Sequence, residues 1–107
     1  MAEIKLLITT VPPVHAERIV RTLVEERLVA CGNIVPSVRS MYVWKGEMCN
    51  EEESLVVMET PRDRLVVATA RLRMLHPYEC PKIVVLDPVS VNDEYVAWAI
   101  ASTQPQR

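Results

Sequence analysis

The chain has little glycine: only two glycines occur among its 107 residues. Phosphate-binding loops of the P-loop and Rossmann types need several closely spaced glycines, because the backbone must approach the phosphate closely. The composition therefore excludes nucleotide binding through either motif. Three cysteines are present, an odd number without a CxxC pair, so neither a disulfide framework nor a structural zinc site is supported.

Membrane-length apolar runs and an excess of basic charge are also absent. The runs at residues 55–58 and 83–86 each stop at four residues, far below the roughly 20 that a membrane span needs. Twelve basic and 14 acidic residues give a net charge of −2, without the basic surface that nucleic-acid binding requires. The opening Met1–Lys5 does not resemble a signal peptide. We therefore expect a cytoplasmic protein with no nucleic-acid or membrane partner.

The composition is that of a folded single domain. Half of the residues are hydrophobic and 24% are charged, which suffices for one packed core in a chain of this length but not for two. We expect one domain over residues 1–107, of which about 103–107 form a polar tail.

Hydrophobic periodicity predicts the element order β-α-β-β-α-β, followed by a short helix. Gly32 is the expected stop of the first helix, Thr60 the N-cap of the second and Asn92 the N-cap of the last. Gly46 is the expected turn of a long hairpin with a charged tip at residues 47–53. The predicted strands cover residues 4–10, 38–45, 55–58 and 82–86, and the predicted long helices cover residues 16–28 and 61–75. This order is typical of the ferredoxin-like α+β sandwich.

Several segments resemble a known family in order and spacing. Residues 23–34, Tyr42–Glu47 and Leu75–Pro81 resemble the signature segments of the CutA divalent-cation-tolerance proteins, and Tyr95–Trp98 resembles the terminal helix of that family. The resemblance implies a ferredoxin-like subunit with an extra C-terminal helix, a homotrimer related in shape to the PII signalling proteins, and a part in tolerance of divalent metals such as copper.

Two positions depart from the family pattern. Some CutA proteins carry a cysteine implicated in copper binding at the end of the first strand, where this chain has Thr9 and Thr10. Relatives often have lysine before the threonine that ends the third strand, where this chain has Glu59 before Thr60. We therefore expect no thiolate copper site at the first strand and no anion site beside Glu59.

His76, Glu79 and Cys80 are the candidate metal ligands. An imidazole, a carboxylate and a thiol within five residues form a set whose softness suits copper or zinc. The structural alternative is that His76 caps the second helix at its negative end and Glu79 pairs with a basic neighbour. No cofactor is required under either interpretation, and a bound divalent metal would most naturally be copper.

Tyr42, Trp44, Lys45 and Tyr78 are the candidate residues of a subunit interface or an intersubunit crevice. Aromatic side chains on an extended strand commonly anchor interfaces, and prolines hold Tyr78 in place where it could line a pocket. Among the cysteines, Cys31 is expected to be buried as a small hydrophobe and Cys49 to be exposed among acidic residues.

Three functional hypotheses follow. The first is a trimeric metal-binding protein that takes part in metal tolerance or response. The alternative is a PII-like signalling or scaffold trimer whose crevice binds a small metabolite or a partner protein. An enzyme ranks last, because the sequence offers only His76 and Cys80 as a base and a nucleophile, separated by a proline.

Overall fold

The computed structural model describes residues 3–105, which form one antiparallel sheet, three α-helices and a short 3-10 turn. The strands follow the order β2-β3-β1-β4 across the sheet. The elements are β1 (Ile4–Val11), α1 (Pro13–Glu25), β2 (Cys31–Trp44), β3 (Glu47–Pro61), the 3-10 turn (Arg62–Arg64), α2 (Leu65–Leu75), β4 (Val84–Leu86) and α3 (Asp93–Ser102). The predicted ferredoxin-like α+β fold with an extra C-terminal helix is thus confirmed.

The main core lies between one face of the sheet and the helices α1 and α2. On α1 the buried residues recur three and four positions apart, as an amphipathic helix requires, and α2 contributes Ala68 and Leu72. The strands contribute alternate residues, among them Leu7 on β1 and Met58 on β3, which lie opposite each other. A second, smaller cluster joins Ile4 to α3.

The first helix ends earlier than predicted, and Gly32 is not its stop. The helix ends at Glu25, and Arg27 adopts a left-handed conformation with φ 62°. Leu28 and Val29 are apolar because the connection to β2 turns back into the core, not because the helix continues. Gly32 lies within β2, where a Cβ atom would stand only 2.6 Å from Cγ1 of Val20. A glycine is required at this position because α1 packs so closely against the sheet that a side chain would not fit.

The long hairpin and its turn at Gly46 are confirmed, but the prediction that residues 47–53 form its charged tip is wrong. Lys45 and Gly46, with φ 51° and 82°, form the two-residue turn between β2 and β3. The acidic residues 47–53 are not a loop, because they form the first half of β3 and pair with β2. Polar partners across the strands make this possible: Ser37 Oγ, for example, donates a hydrogen bond of 2.8 Å to Glu52 Oε2.

Thr60 does not cap the second helix, contrary to the prediction. Strand β3 continues through Pro61, and the 3-10 turn separates it from α2. The buried Thr60 hydroxyl instead donates a hydrogen bond of 2.7 Å to the carbonyl oxygen of Leu28. The predicted end of α2 before His76 is confirmed.

The predicted last helix is present, and Asn92 holds its N-cap position. Its carbonyl oxygen accepts the first backbone hydrogen bonds, but its side chain makes no capping bond. Thr103, placed at the start of the polar tail, is buried and donates its hydroxyl to the carbonyl oxygen of Ala99. The end of the predicted tail, residues 106–107, lies outside the described residues. Over residues 3–105, none of the helices has the length and apolar character that crossing a membrane demands.

Candidate functional site

A cleft separates the outer half of the β2–β3 hairpin from the loop that connects α2 to β4. We call it the hairpin cleft. Its volume is about 560 Å³. It is lined by Thr10, Arg39, Ser40, Met41, Tyr42, Trp44, Glu53, Tyr78, Glu79, Cys80 and Lys82. Of the four residues predicted for a subunit interface or intersubunit crevice, Tyr42, Trp44 and Tyr78 line this cleft of the single chain. Lys45 stands at its rim, beside the lining residue Glu79.

A buried carboxylate is the central polar group of the hairpin cleft. Glu53 is only 4% exposed, and the hydroxyl of Tyr78 donates a hydrogen bond of 2.5 Å to its Oε2. Burial alone would raise the pKa of Glu53, but hydrogen bonds from Ser40, Tyr78 and Thr10 and the charge of Lys82 lower it overall. Burial, and then Glu53 itself, raise the pKa of the Tyr78 hydroxyl. At neutral pH the pair is therefore a carboxylate with a neutral phenol.

A second phenol–carboxylate pair lies on the same face of the hairpin. The hydroxyl of Tyr42 donates a hydrogen bond to Glu51, and this bond is the main cause of the raised pKa of Tyr42. At the rim, the ammonium of Lys45 stands 5.7 Å from the ring centroid of Trp44, a cation–π contact, and 3.9 Å from Oε1 of Glu79. The walls thus combine aromatic faces with fixed charges.

His76 supports the cleft wall from behind. Its ring is buried, with Nε2 2.9 Å from the carbonyl oxygen of Thr10 and Nδ1 3.2 Å from the backbone nitrogen of Tyr78. Since a carbonyl can only accept and an amide can only donate, Nε2 carries the proton and Nδ1 accepts. Burial lowers the pKa of His76 and favours this neutral form. The ring thus ties the cleft loop to the end of β1 and does not cap α2 through its side chain.

The three candidate metal ligands do not converge within the chain. Both ring nitrogens of His76 are engaged, Glu79 faces Lys45 as the structural alternative predicted, and the exposed Cys80 lines the cleft. Within residues 3–105, no three histidine, cysteine, aspartate or glutamate side chains are arranged to hold a metal ion. Metal binding at this loop stays a prediction.

The other two cysteines differ slightly from expectation. Cys31 is half-buried in β2 directly opposite Glu59, which accepts a hydrogen bond of 3.0 Å from the hydroxyl of Tyr95. Cys49, expected to be exposed, is half-buried, because it lies inside β3 opposite Tyr42.

Sequence reasoning missed six residues that line the cleft, namely Thr10, Arg39, Ser40, Met41, Glu53 and Lys82. The signal for the glutamate was present in the alternation of the hairpin. Side chains alternate between the two faces of a strand. In a strand that begins at Glu47 and pairs Cys49 with Tyr42, Glu51 and Glu53 therefore lie on the same face of the hairpin as Tyr42. The contribution of Thr10 and Lys82 depends on how the loop folds back, which periodicity does not encode.

A family model described as the CutA1 divalent ion tolerance protein matches residues 5–102. The chain belongs to this CutA family. The resemblance in the sequence is thereby confirmed.

Relatives and solved structures agree over nearly the whole chain. The CutA divalent-cation tolerance protein of Thermus thermophilus is 39% identical over 100 residues, covering 92% of this chain and 97% of the relative. The crystal structure of the divalent ion tolerance protein CutA1 from Ehrlichia chaffeensis superposes with a TM-score of 0.91 at 37% identity, covering 97% of this chain and 98% of the other. The PII-like protein CutA from Nostoc sp. PCC 7120, in its apo form, gives a TM-score of 0.89 at 38% identity, covering 95% and 99%.

Proposed function

We propose that this CutA protein is a PII-like homotrimer whose hairpin cleft binds a small metabolite. The observation that carries the proposal is the cleft itself. Its volume of about 560 Å³ falls within the roughly 300–1,000 Å³ of small-molecule sites, and it combines aromatic walls with a few fixed polar groups. Support also comes from the structural likeness to the PII-like CutA of Nostoc.

The trimer is supported by apolar side chains along both edges of the sheet. A lone subunit would leave these residues in water next to unpaired backbone groups, a state that folded proteins avoid. They are Ile34, Val35, Met41, Val43 and Trp44 on β2, and Val84, Val85 and Leu86 on β4. Because β2 also lines the hairpin cleft, a subunit that covered this edge would complete the cleft from outside.

The assembly is predicted to have three times the 12.2 kDa mass of the chain when measured by light scattering at micromolar concentration. Trp44→Ala should weaken it more than Trp98→Ala, because Trp44 lies on the edge strand and Trp98 on the outer helix α3. A mass near that of one chain contradicts the trimer. Equal or reversed effects of the two substitutions contradict the assignment of Trp44 as an interface anchor.

Ligand binding in the cleft can be tested by thermal shift against a panel of free amino acids, nucleotides and small carboxylates. We expect at least one compound class to raise the melting temperature of the wild type. We expect Tyr78→Phe to reduce that shift, because it removes the hydroxyl that holds Glu53 in the cleft. Trp98→Phe is the matched control, since it changes an exposed aromatic outside the cleft. If no compound acts at millimolar concentration, the cleft proposal is wrong.

Copper binding at the cleft loop is the second candidate function. It is favoured by Cys80, an exposed thiol next to the carboxylate of Glu79. The similarity to a divalent-cation tolerance protein of Thermus thermophilus supports a divalent cation as the ligand, without specifying copper. Calorimetric titration with Cu²⁺ should then show modest affinity that decreases in Cys80→Ser. His76→Asn is a useful comparison, because it removes Nε2 but can keep an acceptor near Nδ1. Unchanged binding in Cys80→Ser and in His76→Asn excludes this site.

The proposal is of a binding protein and not of an enzyme. A catalytic mechanism would need His76 as a base beside Cys80, and both nitrogens of that ring are already hydrogen-bonded. The cytoplasmic location is likewise part of the proposal. It stays a prediction, since the structure of a protein from Archaeoglobus fulgidus that is called periplasmic shares this fold at 24% identity.

A further inference from the structure

The outer face of α2 carries exposed apolar side chains where a surface helix normally has polar ones. Val66 is 78% exposed, Met74 is 75% exposed and Val67 is 49% exposed. Together with the exposed Ala70 these residues recur at one-turn spacing along the side opposite the buried Ala68 and Leu72. We call Val66, Val67, Ala70 and Met74 the α2 stripe.

The surroundings of the α2 stripe are basic, although the whole chain carries a net charge of −2. Between Glu59 and Glu79 the sequence contains four arginines and a single acidic residue, Asp63. Arg73 is exposed next to Met74 on the outer side of the helix. Arg62 is bound at 3.1 Å to Glu3 and Arg71 at 2.8 Å to Glu26 of α1, so the charges of these two arginines are partly compensated.

From the stripe and its basic border we infer that α2 is a docking surface for an acidic amphipathic helix of a partner protein. Two interactions favour this partner. The apolar side of such a helix would be buried against the α2 stripe, and its carboxylates would pair with the arginines beside the stripe. The inference is independent of the metabolite proposed for the hairpin cleft, because α2 lies on the helical layer and contributes no residue to the cleft.

Charge and area both argue against a second copy of the chain as the occupant. Two α2 helices packed against each other would bring arginines against arginines, which is repulsive. The stripe spans nine residues, from Val66 to Met74, and is therefore about 12 Å long at 1.5 Å per residue. It covers far less than the roughly 800 Å² per partner of a stable interface. A short helical segment that binds weakly and reversibly fits this size.

An anionic membrane is the other surface that basic and apolar side chains could meet. Helices that lie in membrane interfaces bury large apolar side chains such as tryptophan, phenylalanine and leucine. The α2 stripe consists of two valines, an alanine and a methionine, whereas Leu72 and Leu75 of this helix pack in the core. The short side chains on the stripe suit close packing against another helix better than insertion between lipids.

The test is a titration of the full-length, ¹⁵N-labelled protein with a synthetic 18-residue helical peptide that has leucines on one face and glutamates on the other. We expect amide shifts confined to α2, and binding weakened by about tenfold or more in the double variant Val66→Gln, Met74→Gln. Glutamine is a good helix former, so α2 should be retained. The matched control is Val14→Gln, which alters a valine that is 83% exposed on α1, and it should bind as the wild type does.

Two further measurements test whether charge contributes to the binding. The same peptide with lysines in place of the glutamates should not bind, and Arg73→Glu should weaken binding of the acidic peptide. No α2 shifts at millimolar peptide, or equal binding of the lysine peptide, overturns the inference. Sedimentation of the protein with phosphatidylserine vesicles, in the absence of any binding of the acidic peptide, overturns it in favour of a membrane surface.

Discussion

Replacing His76 with alanine is expected to lower the free energy of unfolding by about 2–4 kcal/mol. The substitution leaves a cavity in a buried site and removes the hydrogen-bond partners of the Thr10 carbonyl and the Tyr78 amide. His76→Asn should recover part of the loss, because its side-chain oxygen can accept from the Tyr78 amide. Urea unfolding at one fixed protein concentration measures both variants, since assembly would make stability depend on concentration.

The same histidine should make the protein sensitive to mild acid. Because burial lowers the pKa of His76 in the folded state, the unfolded chain binds a proton first as the pH falls. Stability is therefore complete above the unfolded value of about 6.5 and decreases as the pH drops through the lowered folded pKa. His76→Asn should show a smaller decrease between pH 6.5 and 5. An identical pH profile in this variant, or a stability loss below about 1 kcal/mol in His76→Ala, contradicts the structural role.

Gly32→Ala is the second substitution with a large expected effect, a loss of about 1–3 kcal/mol through overpacking. The new Cβ would stand 2.6 Å from Cγ1 of Val20 and 3.3 Å from Cγ of Met58. The valine is branched at Cβ and has few alternative rotamers in a helix, so it cannot move aside easily. Reduced conformational freedom of the unfolded chain offsets only a few tenths to 1 kcal/mol of this cost.

The cause of the Gly32 effect can be isolated with a double-mutant cycle. Val20→Ala removes the atom that clashes, so the double variant should be less destabilised than the sum of the two single variants. Additive losses in urea unfolding, at the same protein concentration, would show that close packing against Val20 is not the reason for the glycine.

The fold was predictable because its signals are local and repeated. The helical spacing from Ala16 to Leu23 and the turn at Gly46 each depend on a few neighbouring residues, and the structure confirms both. The predictions were wrong at residues whose type is typical of a helix end but which are needed for a tertiary contact. Gly32 was predicted to end a helix, but it leaves space for the side chain of Val20. Thr60 was predicted to cap a helix, but its hydroxyl donates a hydrogen bond to the carbonyl oxygen of Leu28.

The candidate site was predictable only in part. Tyr42, Trp44 and Tyr78 were expected at a subunit interface or an intersubunit crevice, because large aromatics are conspicuous in a sequence. The three side chains line the hairpin cleft of the single chain, and their place at an interface stays a prediction. Glu53 was not expected there, since a run of glutamates is typical of a solvated loop. Its burial depends on a hydroxyl 25 positions further along the chain, a pairing that only the folded backbone brings about.

The pairing of β2 with β3 shifts register between Val35 and Val38, at Pro36 and Ser37. Ser54 Oγ holds this irregularity by donating a hydrogen bond of 2.9 Å to the carbonyl oxygen of Pro36. Because proline has no amide proton and a bulge bends the strand, the outer edge of β2 is interrupted at its middle. Another chain can add alongside the first or the second half of this strand, but not continuously along all 14 residues. The bulge therefore protects the long apolar edge of β2 from open-ended addition of further strands, the process by which fibrils grow.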